Sequence, residues 1–155
     1  MTDSTFSDVL ELSTEIDAPI DRVWAIVSDL KRMGEWSPQC RKMVVFGDVR
    51  PGTRTLNINR KGMLVWPTNA KVVALDPKER IAFRVSENKT VWSYVLEATE
   101  SGTRVTERRE APNGTTGFSQ FFVRMFLGGN AGLESDLKRG MEMTLARIKT
   151  EAERS

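Results

Sequence analysis

Hydrophobic and polar positions follow two different periods along the first 40 residues. Residues 8–17 have the spacing of a first strand, and residues 18–30 then change to helical spacing. The apolar face of this helix is made by Ile20, Val23, Trp24 and Val27. Pro19 suits the first turn of a helix. A second short helix is predicted for residues 29–36, and Pro38 marks its end.

Beyond residue 40 the pattern is almost entirely that of short strands. Six alternating segments are separated by hairpin-length loops such as "RPGT", "DPKER" and "ESG". Residues 118 to about 150 then read as helical. The predicted order β-α-α-β6-α is an α+β fold, in which a long C-terminal helix lies across the concave side of a seven-stranded antiparallel sheet. We expect residues 1–155 to form a single domain, with a ligand-sized gap between sheet and helix.

The alternation within each strand predicts which side chains face the helix, because successive residues point to opposite faces. In the third strand, periodicity leaves open whether Leu56 and Ile58, or Asn57 and Asn59, point inward. For the next three strands the predicted inner sets are Trp66, Thr68, Ala70, Val72 and Ala74, then Ile81, Phe83 and Val85, and then Trp92, Tyr94 and Leu96. In the last strand Thr103, Val105, Glu107 and Arg109 share one face, so Glu107 and Arg109 point inward if Val105 does.

An inward-facing carboxylate at Glu107 has two interpretations, because burying a charge is costly unless it is paired or hydrated. In the first, it lies at the rim of the sheet, where Arg109 or Arg60 neutralises it in solvent. In the second, it lines a hydrated pocket and anchors a ligand. Tyr94 is likewise either a core tyrosine or a pocket hydroxyl, and the tryptophans Trp66 and Trp92 either pack or touch a ligand.

The segment "FSQFFVRMFLGG", residues 118–129, concentrates aromatic side chains on one helical face. Its members are Phe118, Phe121, Phe122, Met125, Phe126 and Gly129. A second stripe, rotated from the first, is Leu133, Leu137, Met141, Leu145 and Ile148. Because Gly128 and Gly129 fall between them, a kink or hinge is plausible there. The aromatic stripe is ordinary core or a pocket wall and gate; with Arg124 as its one basic residue, it is a poor membrane-surface helix.

Composition excludes several classes of function. The chain lacks histidine, and its single cysteine, Cys40, allows neither an internal disulfide nor a cysteine-based zinc site, so we expect no metal and no cofactor. A net charge of +2 gives no electrostatic reason to expect nucleic acid or an anionic membrane as partner. The start of the chain lacks signal-peptide character and no apolar run is long enough to span a bilayer, so we expect a cytoplasmic protein, a monomer or weak dimer.

Several short motifs occur in the order typical of one family. The chain resembles the polyketide cyclase/dehydrase and lipid-transport group of the START-like, Bet v 1-like (SRPBCC) superfamily through "DAPIDRVWAIVSDLKRMGEWSP", "TVWSYVLE" and "GTRVTERRE". The resemblance implies a helix-grip fold with an internal cavity. It also implies that Asn57 and Asn59 turn inward and that Trp36 lies near one end of the cavity.

Two functions follow, and a third, a protein-interaction module, has no support in the sequence. In the first, the chain is a carrier or sensor that binds a small apolar molecule with one polar end, oriented by Asn59, Tyr94 and Glu107. In the second, it is an aldol-type cyclase or dehydratase, with Tyr94 as proton donor and Glu107 as base. The candidate ligand-binding residues are Trp36, Asn57, Asn59, Trp66, Phe83, Trp92, Tyr94, Glu107, Arg109, Phe118, Phe122, Met125 and Phe126.

Overall fold

The computed structural model describes residues 9–111 and 129–154, with side chains of the last helix described from residue 135 onward. The predicted aromatic stripe at residues 118–126, Gly128 of the predicted hinge and the side chain of Leu133 lie outside the described part. A short 3₁₀ helix spans Leu30–Arg32. The other elements are β1 Val9–Ile16, α1 Ile20–Val27, α2 Met33–Trp36, β2 Cys40–Phe46, β3 Arg54–Lys61, β4 Leu64–Asp76, β5 Arg80–Val85, β6 Val91–Ala98, β7 Thr103–Glu110 and α3 Gly129–Glu153.

The seven strands form one antiparallel sheet in the order β1-β7-β6-β5-β4-β3-β2. Strands β2 to β7 form a meander, and the last strand, β7, pairs with the first, β1. Strands β1 and β2 are therefore the two edges of the sheet. The predicted α+β helix-grip architecture is therefore confirmed. Within the described residues, no helix is long and apolar enough to cross a membrane.

A β-bulge in β4 corrects one predicted face. Val72 pairs with Phe83, but the next pairs are Ala74 with Ala82 and Leu75 with Ile81. The extra residue reverses the alternation, because two residues of the bulged strand oppose one of its partner. The prediction that Ala74 faces inward is therefore wrong, and Leu75 instead packs against the core beside the buried Ile81.

The long helix α3 packs against β1, α1 and α2 through the predicted aliphatic stripe. Leu137 and Met141 pack with Leu10 and Ala111, while Leu145 and Ile148 join the main core. The stripe continues one turn further to the buried Ala152. The described part of the stripe is thus confirmed as the buried face of the helix.

Arg22 of α1 fixes the carboxyl end of α3. Its Nε donates to the carbonyl oxygen of Ala152 at 2.6 Å, and its Nη2 donates to those of Glu151 at 3.1 Å and Arg154 at 2.8 Å. Carbonyls at the end of a helix lack the usual intrahelical donors, although that of Glu151 also accepts the backbone N–H of Arg154 at 3.3 Å. A cation at this end also complements the helix dipole. At the same end, the carboxylate of Glu153 accepts the backbone N–H of Asp17 at 2.8 Å.

Candidate functional site

Tyr94 and Glu107 form a buried polar pair on the face of the sheet that the helices cover. They are directly opposite each other in the β6–β7 register, and each side chain is in a residue only 3% exposed. The Tyr94 hydroxyl donates to Glu107 Oε2 at 3.2 Å. The β6–β7 register brings them together on the inner face, where Leu96 and Val105, the next inward-facing pair, are also buried.

Burial controls the protonation of this pair. Loss of hydration raises the pKa of Glu107 from 4.5 to about 8, and the hydrogen bond from Tyr94 opposes part of this rise. The pKa of Tyr94 is raised well above 10.0, first by burial and then by the neighbouring Glu107 carboxylate. At neutral pH both groups are therefore mostly protonated, and the Glu107 carboxyl is itself a hydrogen-bond donor.

One oxygen of this carboxyl group is unsatisfied within the described chain. Glu107 Oε1 is buried and has no hydrogen-bond partner among residues 9–111 and 135–154. The interpretation of Glu107 as a rim carboxylate in solvent is wrong, because the residue is buried. Arg60, one of the two arginines expected to neutralise it, is exposed and donates to the carbonyl oxygen of Gly62 at 2.8 Å.

Arg109 lies next to this pair along β7 and is itself buried. It is directly opposite Trp92, and its guanidinium carbon is 6.0 Å from the centroid of a Trp92 ring, within range of a cation–π interaction. Phe83 is opposite Trp92 on the other side and is also buried. The sheet therefore places an apolar and aromatic row directly beside the Tyr94–Glu107 pair.

A second polar cluster occupies the inner face of β3 and β4. Asn57 and Asn59 are buried whereas Leu56 and Ile58 are half-buried, which resolves the alternative left open by the periodicity. Thr55 donates to Asn57 Oδ1 at 2.9 Å, and the side-chain amides of Asn57 and Asn59 donate to Thr68 Oγ1 at 3.3 and 3.0 Å.

Thr68 is the residue of this cluster that sequence reasoning missed. The alternation predicts that Thr68 points inward, without a polar role. Since its oxygen accepts from both asparagines, its own hydroxyl hydrogen is directed elsewhere. The alternation put Thr68 on the inner face of β4, and the β3–β4 register puts it opposite Asn57.

The two polar clusters are separate, because strand β5 lies between them in the sheet. Tyr94 and Glu107 are on β6 and β7, whereas the asparagines and Thr68 are on β3 and β4. Trp66 is half-buried opposite Asn59, at the same end as the second cluster. The predicted site residues of the sheet therefore divide into two groups that share one face.

Trp36 ends α2 in a buried position beneath Arg32, whose guanidinium carbon is 4.7 Å from a ring centroid. Its carbonyl oxygen accepts from Arg147 of α3 at 3.3 Å, so it links α2 to the long helix. Cys40, the first residue of β2, has its thiol pKa raised to about 11 by burial, which makes it a poor nucleophile at neutral pH.

The remaining predicted site residues, Phe118, Phe122, Met125 and Phe126, lie outside the described part. Two open surface depressions of about 380 and 400 Å³ are lined by other residues, between α1 and the end of α3 and at the β2–β3 turn. Among residues 9–111 and 129–154, no three His, Cys, Asp or Glu side chains are grouped to hold a metal ion.

The chain belongs to the family described as polyketide cyclase / dehydrase and lipid transport, whose model matches residues 8–153. A Polyketide_cyc-like protein from Corynebacterium glutamicum, solved by NMR, is 32% identical; the match covers 91% of this chain and 88% of that one, with a TM-score of 0.57. No curated protein sequence matches the chain.

More distant structures share the fold. The Zhui aromatase/cyclase from Streptomyces sp. R1128 is 17% identical, with 94% of this chain and 93% of that one covered at a TM-score of 0.75. The di-domain ARO/CYC protein BexL from the BE-7585A biosynthetic pathway is also 17% identical, with 99% of this chain and 52% of that one covered at a TM-score of 0.73. The chain therefore spans about half the length of that di-domain protein.

Proposed function

We propose that this protein is a cytoplasmic carrier or sensor that binds a small, largely apolar molecule between the inner face of the sheet and the C-terminal helical region. The observation that carries the proposal is the buried Oε1 atom of Glu107, which has no hydrogen-bond partner among the described residues. A buried polar atom without a partner costs free energy, so such an atom is expected to meet a ligand or an ordered water.

The chemistry of the pair sets the kind of polar group that fits. With a pKa of about 8, Glu107 is mostly neutral at pH 7 and offers an O–H donor once Tyr94 occupies Oε2. A neutral carboxyl can form a hydrogen bond with a carbonyl, a hydroxyl or a protonated acid of the ligand at low desolvation cost. A ligand carboxylate would instead favour a cation as its partner. The ligand is therefore uncharged at the end that reaches Glu107.

The apolar walls would supply most of the affinity. Phe83 and Trp92 form the row next to the pair, and the proposed opposite wall is the aromatic set Phe118, Phe122, Met125 and Phe126. At roughly 25 cal/mol per Å² of apolar surface removed from water, such walls outweigh one hydrogen bond. Asn57, Asn59, Trp66 and Trp36 are proposed to contact the more distant end of a long ligand, and Arg109 to contact the end near Trp92.

Native mass spectrometry of the purified chain with a panel of neutral lipids and aromatic polyketides tests this proposal. We expect one bound ligand per chain, and at least tenfold weaker binding in Glu107→Leu and in Phe83→Ala, whereas Glu107→Gln, whose amide also offers an N–H donor, should bind within a fewfold. Glu100→Leu is the matched control, since Glu100 is exposed in the β6–β7 turn. No binding by any member of the panel, or equal losses in the control variant, would overturn it.

A second candidate function is cyclase or dehydratase chemistry, which the Tyr94–Glu107 contact favours. Ionised Glu107 would remove a proton from a carbon between two carbonyls, the resulting enolate would attack a ketone carbon, and Tyr94 would protonate the alkoxide formed. The proton held by Glu107 would then return to the Tyr94 phenolate through their hydrogen bond. Turnover would then increase with pH through about 8, as Glu107 ionises. This candidate requires that Glu107→Gln and Tyr94→Phe abolish turnover while the ligand still binds, and it is wrong if the variants keep their activity.

A further inference from the structure

The outer face of β2, β3 and β4, away from the helices, carries an apolar strip. The strip follows from strand alternation, because its residues alternate along the strands with inward-facing ones such as Met43, Asn57, Asn59 and Thr68. Phe46 is 60% exposed and Val65 is 57% exposed. We define the outer strip as Val44, Phe46, Leu56, Ile58, Val65 and Pro67.

The part of the outer strip near the β3–β4 turn extends beyond the rest of the sheet. Strand β4 pairs with β5 only from Ala70 onward, so residues 64–69 continue past the end of β5. Met63, in the turn itself, is 98% exposed. Lys61, just before this turn, forms an ion pair with Asp136 of α3, which ties the end of the hairpin to the helix. The hairpin therefore ends in an exposed apolar tip that continues beyond the pairing with β5 and is supported by the helix.

Cations surround the outer strip. Arg54, Lys71 and Arg84 are directly opposite one another in the registers of β3, β4 and β5, and all three are exposed. Like charges in directly opposite positions destabilise a sheet, so this row is not explained by folding. Lys42 and Arg60 lie opposite Ile58 and Val65 and extend the cationic border.

The two halves of the outer face differ in how their charges are satisfied. On the β7 half, Arg104 pairs with Glu15 at 2.6 Å and Arg108 pairs with Glu11 and Glu110, both at 3.1 Å. Within the described residues, the five cations around the outer strip form no ion pair. The adjacent Glu87 is engaged by the backbone and side-chain nitrogens of Asn69, at 2.9 and 2.8 Å.

We propose that the outer strip is a docking surface for an anionic lipid bilayer. Apolar side chains bordered by cations that form no ion pair with a described residue match the boundary between acyl chains and anionic headgroups. The chain's net charge of +2 conceals this match, because the paired acidic residues are on the other half of the sheet. An extending hairpin with a bare methionine at its tip favours a bilayer, into which it can insert, over an acidic protein, which would need a complementary recess.

Vesicle sedimentation tests this surface independently of any interior ligand. The probes are phosphatidylcholine vesicles with and without phosphatidylserine. We expect salt-sensitive binding to the anionic vesicles only, and about 100-fold weaker binding in the triple variant Arg54→Gln/Lys71→Gln/Arg84→Gln, at about fivefold for each charge. Met63→Asp should also weaken binding, at a position whose exposure leaves folding unaffected.

A matched triple variant, Lys31→Gln/Arg104→Gln/Lys138→Gln, removes the same charge from exposed positions elsewhere. It should retain binding within a fewfold of the unmodified chain. The proposal is overturned if anionic vesicles do not bind, if both triple variants lose binding equally, or if Met63→Asp binds as well as the unmodified chain. Because neither test involves the inner face, a negative result here leaves the ligand-binding proposal standing, and the reverse also holds.

Discussion

The hydroxyl of Tyr94 donates to the carboxyl of Glu107 at 3.2 Å across two neighbouring strands, in a part of the core where both residues are almost entirely buried. On one side of this pair Leu96 and Val105 pack in the core, and on the other side lie the half-buried Trp92 and the buried Arg109. Three properties of the pair connect the fold to the proposed function: its protonation, its place on the face toward the helix, and an oxygen without a partner among the described residues.

We predict that Glu107 makes the stability of the protein fall as pH rises. The unfolded chain releases this proton near pH 4.5 and the folded chain holds it until about 8. Between these values the folded state binds more protons, so the free energy of unfolding decreases by about 1 kcal/mol per pH unit. Urea denaturation from pH 4 to 9 should show this slope, and Glu107→Gln should lack it. A parallel pH dependence in both proteins would contradict the buried, neutral carboxyl.

The phenol of Tyr94 should resist ionisation in the folded protein. Tyr94 is the single tyrosine of the chain, so the phenolate absorbance reports on this residue alone. Because its pKa is raised well above 10.0, the band should be absent at pH values where the urea-unfolded chain shows it fully. Glu107→Gln should lower this pKa, since it removes a neighbouring negative charge. An ordinary titration near 10 in the folded state would mean that the hydroxyl is in water.

Arg22 should contribute to stability through the carbonyls that it caps. Arg22→Ala leaves the last carbonyls of α3 without this donor, and we expect a loss of about 1–2 kcal/mol in the free energy of unfolding. Arg154→Ala is the control, because its exposed pair with Glu151 is worth little while its backbone carbonyl remains. Equal effects in the two variants would indicate that the guanidinium cap is dispensable.

Lys89 adopts a left-handed backbone conformation, with φ of 63°, in the turn between β5 and β6. A side chain is disfavoured there and glycine is not, so Lys89→Gly should raise the free energy of unfolding by about 0.5–1 kcal/mol. Lys138→Gly, in the middle of α3, should lower it by about 1 kcal/mol. Thermal denaturation of both variants measures the contrast, and a loss of stability in Lys89→Gly would refute the expected strain.

Alternation and turn residues were sufficient to predict the sheet, because each strand buries one face and leaves the other wet. They could not locate the bulge in β4, since one inserted residue has no compositional mark; Ala74 and Leu75 therefore exchanged faces. The pairing of Tyr94 with Glu107 required the register between β6 and β7, which the inward sets of both strands only suggested. Thr68 was missed for a related reason: its role depends on two amides of the neighbouring strand.

The central claim is that a ligand meets Glu107 in a space beneath the sheet. A crystal structure of the chain soaked with the tightest binder from the mass-spectrometry panel tests it most directly. We predict an uncharged oxygen of that molecule within about 3 Å of Glu107 Oε1, with its apolar part against Phe83 and Trp92. An interior filled by the chain's own aromatic side chains, with one of its own groups bonded to Oε1, would contradict the account.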